Sequence, residues 1–522
     1  MNLLRNAMVK YAMTLGDKVA VVDGEERVTY RELNNEVNRL ANALYDMGLR
    51  KGDKISILFY NSLHYIEAFL AIHKIGLVYV PNNFRYVARE LQYQVDHSDS
   101  VTLIYGGEFN ELVSSIKGSL PKVKYFICAD GSQCPPGILD YEELKSRYSA
   151  EEPPEVIVGP DDLQSILYTS GTTGLPKGVT HTYHAGIFIG ANEVAFDCKL
   201  TTEDVFLGSP PFYHIAGHCF CLATPIALGA RIVVMKSFNP EEALRLIQDE
   251  KITYMFVVPT MGAAILRLGE KISQYDTGSL RVWFSTAAIL NEVTKNRMKY
   301  YFPHVNVYDN YGSTETLNIT RLDPMDFSRK AACQGLPVLT QQVTLLDDFG
   351  KKTPSGEVGE VCVKGVAVTC GYYKNPAETE KANAAGWFHT GDLARLDGEG
   401  YLYIVDRKKD MIISGGVNIY PVEIEAQLCQ YEKVQEVAVI GVPDVYWGEA
   451  ACAVIVPTPG QECTKEEIMS FSAQRLAGYK KPKHIVFLDS LPKNPSGKVL
   501  KRELRKQIKI AEEHSGDGGR KS

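Results

Sequence analysis

Apolar residues at Leu33, Val37, Leu40, Ala41 and Leu44 recur with the period of an amphipathic helix that opens at Tyr30-Arg31-Glu32-Leu33 and ends near Gly48. Lys54-Ile55-Ser56-Ile57-Leu58-Phe59 then predicts a strand. Short β-branched runs followed by helical patterns return at residues 230–235, 254–258 and 281–284. This alternation predicts α/β layers around buried parallel strands. After about Gly356 the texture changes. Gly, Pro and Asp become dense, and runs such as Glu360-Val361-Cys362-Val363 and Tyr401-Leu402-Tyr403-Ile404-Val405 alternate with turns, predicting a small β-barrel region. A charged break, Asp406-Arg407-Lys408-Lys409-Asp410, leads into about 100 residues with strand and helix signals of their own, at 437–441, 451–457 and 466–476, enough for a small α+β domain. The polar, glycine-rich residues 511–522 are expected to form a disordered tail.

Composition narrows the class. The 522 residues are 45% hydrophobic and 23% charged, as in a soluble globular protein, and the length suggests roughly three or four domain-sized units. A net charge of −7 argues against nucleic acid as a partner. The 11 cysteines are scattered and contain no C-x-x-C pair, so reduced, mostly buried thiols in a cytoplasmic enzyme are expected. No signal peptide is expected, and the most apolar window, 219–230, is about a dozen residues where a membrane span needs ~20.

The strongest local motif is Tyr168-Thr169-Ser170-Gly171-Thr172-Thr173-Gly174-Leu175-Pro176-Lys177-Gly178-Val179, a loop leaving an apolar strand. Its glycines allow close backbone approach, and its hydroxyls and Lys177 offer donors to phosphate oxygens. A surface turn is the alternative reading. It is neither a Walker A loop nor a G-x-G-x-x-G fingerprint. Four further stretches follow: Tyr311-Gly312-Ser313-Thr314-Glu315; His389-Thr390-Gly391-Asp392; a run from Asp410 to Pro421 containing Gly415-Gly416; and Pro492-Lys493-Asn494-Pro495-Ser496-Gly497-Lys498-Val499.

With these motifs in this order, the chain resembles the AMP-forming acyl-CoA synthetases of the adenylate-forming superfamily, relatives of firefly luciferase and of peptide-synthetase adenylation domains. The resemblance runs from about Tyr11 to Lys509. It implies a large N-terminal domain over 1–405, a hinge at 406–409 and a mobile C-terminal domain over 410–510. It implies ATP, Mg²⁺ and CoA as reactants and cofactor, with a small carboxylic acid as the activated substrate. In that reading Thr169 to Lys177 (with Ser170, Gly171, Thr172, Thr173 and Gly174) would hold the β- and γ-phosphates. Tyr311 beside Gly312 would stack on adenine, Thr314 would touch the α-phosphate, and Glu315 would hold Mg²⁺. Asp392 would accept the ribose hydroxyls, and Arg407 would bind the ribose and phosphate region. Lys498 would reach the carboxylate and α-phosphate where negative charge gathers. Lys409 would be the hinge residue, and Gly415 and Gly416 would line the CoA tunnel.

His214 and Ile215, with Ala287 and Ala288, would line the acyl pocket, His214 also gating between half-reactions. His214 and His218 stand four apart, but without an H-E-x-x-H glutamate no zinc site is expected. Ser285-Thr286-Ala287-Ala288-Ile289-Leu290 departs from the glycine-rich segment of many relatives, which bears on pocket shape. Neither 212–216 nor 284–290 offers an aspartate to pair with an α-amino group, so a medium- or long-chain fatty acid is expected, with an aryl acid (hydroxycinnamate or benzoate type) as the alternative. A stand-alone enzyme that loads a carrier protein, a luciferase-like oxygenase and an inactive nucleotide-binding scaffold are the rival functions. A homodimer is compatible with all of them.

Overall fold

The computed structural model describes residues 2–129, 134–169, 176–184, 186–286, 290, 292–330, 332–415, 417–493 and 499–508. The chain divides into two compact units: 1–356 with 361–390 and 396–403, and 357–360 with 391–395 and 404–522.

The first unit is built on two large sheets. One has nine strands and a parallel centre in which Val19–Asp23, Arg231–Val234, Val205–Gly208, Tyr254–Val257, Val282–Ser285 and Asn306–Ser313 lie side by side. The other has eight strands. Leu139–Asp140, Tyr125–Ala129, Ser100–Gly106, Lys54–Leu58, Val78–Pro81 and Leu163–Thr169 run parallel, then Lys177–Thr182 and Gly371–Tyr372 are added antiparallel. The central strands read as unbroken apolar runs because both faces are covered by helices.

The 30–48 helical pattern forms Tyr30–Asp46, and its start has a physical cause. Thr29 Oγ1 accepts from Glu32 N at 3.3 Å while the Glu32 carboxylate accepts from Thr29 N at 2.9 Å, a capping box that satisfies two otherwise unpaired backbone donors. Its apolar face (Leu33, Val37, Leu40, Leu44) enters a core shared with Ile55, Ile57 and Tyr79 of one sheet and Val21, Phe206 and Ile232 of the other. The two sheets are thus joined through one hydrophobic layer of helices.

The glycine-rich region forms a four-stranded sheet of Gln341–Leu346, Gly359–Gly365, Phe388–Leu396 and Leu402–Arg407. In the second unit a five-stranded sheet is centred on the long antiparallel pair Val434–Asp444 and Gly448–Pro457, with His484–Phe487 added in parallel. Val439, Ala453 and Ile455 point into one apolar cluster and Ile440, Cys452 and Val454 into another, so this sheet is buried on both faces. Among the described residues no helix is long and apolar enough to cross a membrane.

Candidate active site

The Thr169–Lys177 motif joins two antiparallel strands. Thr169 ends Leu163–Thr169 and lies opposite Lys177, the first residue of Lys177–Thr182, so both ends of the loop are pinned by one ladder. Ser170, Gly171, Thr172, Thr173 and Gly174 lie outside the described residues.

Lys177 forms an ion pair with the Glu378 carboxylate, and its Nζ stands 5.0 Å from the ring centroid of Tyr372. Local sequence explains both neighbours. Gly371-Tyr372 pairs with Thr180 and Val179, which puts Tyr372 on the strand flanking Lys177. The helix Pro376–Ala382 then starts with Pro376 at its first turn and Asn375 Oδ1 accepting from Glu378 N at 3.2 Å. Glu378 therefore sits where the helix dipole favours an anion, and its hydrogen bond to Lys177 holds its carboxyl below the usual range. Tyr93, His97, Lys177, Tyr372, Lys374 and Glu378 line a cleft of about 550 Å³.

Tyr311 and Gly312 lie at the end of Asn306–Ser313, which turns through 314–316 into the antiparallel strand Leu317–Leu322. At Gly312 a Cβ would meet the Leu317 carbonyl oxygen at 1.7 Å, so only glycine fits. Thr314 and Glu315 occupy the turn. The Glu315 carbonyl accepts from Thr369 N at 2.6 Å, and Glu315 Oε1 accepts from Tyr372 Oη at 3.1 Å. Thr369 and Tyr372 belong to one short segment, which is how the Lys177 and Glu315 motifs are tied together across 138 residues of sequence.

His214 caps the short helix Ile215–Gly217, Nδ1 accepting from Ala216 N at 3.4 Å. Its apolar surroundings push the imidazole down to about 4, so it is neutral at pH 7. Ile215 is buried, and Ala287 and Ala288 lie outside the described residues. Nearby strands set an aromatic ladder by register. Phe256 is level with Phe284 and Phe284 with Tyr308, and the rings of Phe220, Phe256, Phe284 and Tyr308 succeed one another at centroid spacings of 5.5, 6.1 and 6.5 Å. All four are buried.

In the second unit Arg407 Nε pairs with Asp392 Oδ1 at 3.2 Å, and Lys408 N donates to the Gly391 carbonyl at 2.9 Å. Lys409 is exposed in the turn after Leu402–Arg407. Gly415 has φ +58°, its N donates to the Trp447 carbonyl at 2.8 Å, and a Cβ there would meet the Trp447 ring at 2.5 Å. Gly416 and Lys498 lie outside the described residues. Lys493 and Val499 are bridged across the segment that carries Lys498.

Sequence reasoning passed over Tyr372 and Glu378. The available signal was Asn375-Pro376 as a helix start, which would have put the acid Glu378 in a first turn directly after an aromatic pair. What could not be read was that this turn lies against Lys177.

Residues 9–373 match the AMP-binding enzyme family, and residues 423–498 match the AMP-binding enzyme C-terminal domain. The chain is 37% identical over 492 residues to a feruloyl-CoA synthase of Amycolatopsis, covering 94% of this chain and 96% of that one. It is 35% identical over 489 residues to a long-chain-fatty-acid–CoA ligase of Mycobacterium tuberculosis, covering 92% and 93%. Among solved structures, the anthranilate CoA ligase AuaEII in complex with anthranoyl-AMP superposes with a TM-score of 0.89 at 28% identity, covering 97% of this chain and 96% of that one. With the resemblance spanning both units, the chain belongs to the AMP-binding enzyme family of adenylate-forming acyl-CoA synthetases, as an AMP-forming acid–CoA ligase.

Proposed function

We propose that the chain activates a hydrophobic carboxylic acid, a medium- or long-chain fatty acid, as its acyl-adenylate and transfers the acyl group to CoA. A carboxylate is a poor acyl donor because oxide would have to leave. One carboxylate oxygen attacks the α-phosphorus of ATP, the bond to the β-phosphate bridging oxygen breaks, and pyrophosphate departs. The CoA sulfur then attacks the acyl carbon and AMP leaves with the electron pair. The first half needs fixed positive charge and donors around phosphate rather than proton transfer.

The observation that carries this reading is the cluster Lys177–Tyr372–Glu315, which puts an ammonium and a carboxylate on two sides of one tyrosine. Lys177 and the Thr169–Gly174 loop would take the β- and γ-phosphates, Tyr311 the adenine face and Thr314 the α-phosphate. Glu315 suits a hard divalent cation: its oxygen is already oriented by Tyr372, and such a cation draws its other ligands from phosphate and water. Bound Mg²⁺ would supply charge neutralisation of the triphosphate. Asp392 and Arg407 would serve the ribose, Lys498 the α-phosphate and carboxylate, Lys409 the change of orientation between half-reactions, and Gly415 and Gly416 the pantetheine path.

The choice of acid rests on residues 212–216 and 284–290, which carry no carboxylate for an amino group, and on the neutral His214. An aryl acid is the second reading. Similarity to a feruloyl-CoA synthase, 37% identical over 492 residues, favours it. Pyrophosphate release, with and without CoA, from fatty acids of graded length, hydroxycinnamates, benzoates and amino acids separates the readings. Preference for coumarate or benzoate overturns the fatty-acid reading. Pyrophosphate release without CoA-dependent AMP release overturns the ligase.

A further inference from the structure

We propose that Tyr372 is a positioning residue: its hydroxyl holds the Glu315 carboxylate, its ring face holds the Lys177 ammonium, and it thereby sets the separation of the two ends of the triphosphate site. This rests on the roles proposed above for Lys177 and Glu315, and adds to them a residue that acts through both.

The side chain is held from several directions. Tyr372 pairs with Val179 on the strand that begins with Lys177, and its N donates to Thr379 Oγ1 at 2.9 Å. The residue before it must be glycine, since Gly371 has φ +134° and a Cβ there would meet Thr379 Cγ2 at 2.4 Å. With its backbone anchored in this way, the ring has little freedom. Its hydroxyl donates to Glu315 Oε1 at 3.1 Å, a charge-assisted bond, while Lys177 Nζ lies 5.0 Å from its centroid. Lys177, which is also ion-paired with Glu378, and Glu315 thus meet two different parts of one anchored side chain, the ring face and the hydroxyl. That arrangement suits a ligand whose phosphates need a cation on one side and a metal-holding carboxylate on the other.

Tyr372→Phe removes the hydroxyl and keeps the ring, whereas Tyr372→Leu removes both. Two binding measurements separate the parts. Mn²⁺ affinity, read by electron paramagnetic resonance with a saturating non-hydrolysable ATP analogue, reports on Glu315. Binding of the same analogue in excess chelator, read by calorimetry, reports on Lys177 without metal. Tyr372→Phe is expected to weaken Mn²⁺ by about five- to twentyfold and leave metal-free binding within about twofold. Tyr372→Leu is expected to weaken metal-free binding as well, by about three- to fivefold. Glu315→Gln is the reference. If it loses Mn²⁺ affinity while Tyr372→Phe binds Mn²⁺ like wild type, the positioning proposal is overturned and the role of Glu315 stands. If Glu315→Gln also binds Mn²⁺ like wild type, the metal role of Glu315 fails and the proposal falls with it. Should Tyr372→Leu fail to fold, the phenylalanine variant alone decides the hydroxyl.

Discussion

Glu378→Gln should make the enzyme bind ATP more tightly. The Glu378 carboxylate neutralises Lys177, so a triphosphate held by Lys177 in its proposed role would have to displace that carboxylate. The pair is only partly shielded, with side-chain exposures of 18% and 35%, so solvent screens much of the attraction. Partly exposed pairs of this kind contribute about 0.2–1 kcal/mol, which converts to a gain of about 1.4- to fivefold in ATP affinity on removing the carboxylate. Salt should shrink the difference, since screening already weakens the pair in the wild type. pH adds a further check. Because Lys177 depresses the Glu378 carboxyl, the pair is intact above the ordinary carboxylate value and is lost only as pH falls through the lowered one. The advantage of the glutamine variant should therefore be flat from pH 6 to 8. Calorimetric titration with a non-hydrolysable ATP analogue at about 50 and 300 mM salt measures it, and Lys177→Met in both backgrounds closes a double-mutant cycle. If Glu378→Gln weakens ATP binding, or if its effect is the same with Lys177 present and absent, the competition argument is wrong.

Lys498→Ala should lose pyrophosphate exchange by about 10²–10³ yet still convert supplied acyl-adenylate and CoA to thioester, and Gly416→Leu should do the reverse; equal failure of Lys498→Ala in both assays would sink the division of labour. Lys409→Pro should slow thioester formation far more than adenylation, because proline fixes φ at the expected pivot; equal losses would remove Lys409 from that role. His218→Leu should flatten the acid limb of stability. His218 is fully buried between the Phe69 and Tyr79 rings with no hydrogen-bond partner for either nitrogen among the described residues, and burial lowers its affinity for a proton. The unfolded chain takes up that proton as pH falls below about 6.5 and the fold resists, so stability is full above that value and lost below it. Calorimetric melts at pH 7.5 and 5.5 should show the gap narrowing by on the order of 1 kcal/mol in the variant, and an unchanged gap would place the acid sensitivity elsewhere.

The layered fold was legible because its causes are local. The spacing of Leu33, Val37, Leu40 and Leu44 is that of one helix face, and Thr29 and Glu32 cap it from within four residues. The runs at 54–59, 230–235, 254–258 and 281–284 all became strands, within a residue or two, because a strand covered on both faces has to be apolar throughout. The motifs were legible for a similar reason: a glycine such as Gly312, whose Cβ would strike the Leu317 carbonyl, leaves a mark that no tertiary knowledge is needed to see. Tertiary structure alone decided which side chains outside the motifs link them. Tyr372 reaches Lys177 by adding a strand to an edge 193 residues away in sequence and reaches Glu315 by a side-chain hydrogen bond, and neither strand addition nor a cross-sheet hydrogen bond imposes a period on the chain. Glu378 is one acid among many in sequence and becomes the counter-ion of Lys177 only when the helix Pro376–Ala382 is set down beside it. The aromatic ladder Phe256–Phe284–Tyr308 is likewise a product of register, since parallel pairing, not sequence spacing, makes those three rings neighbours.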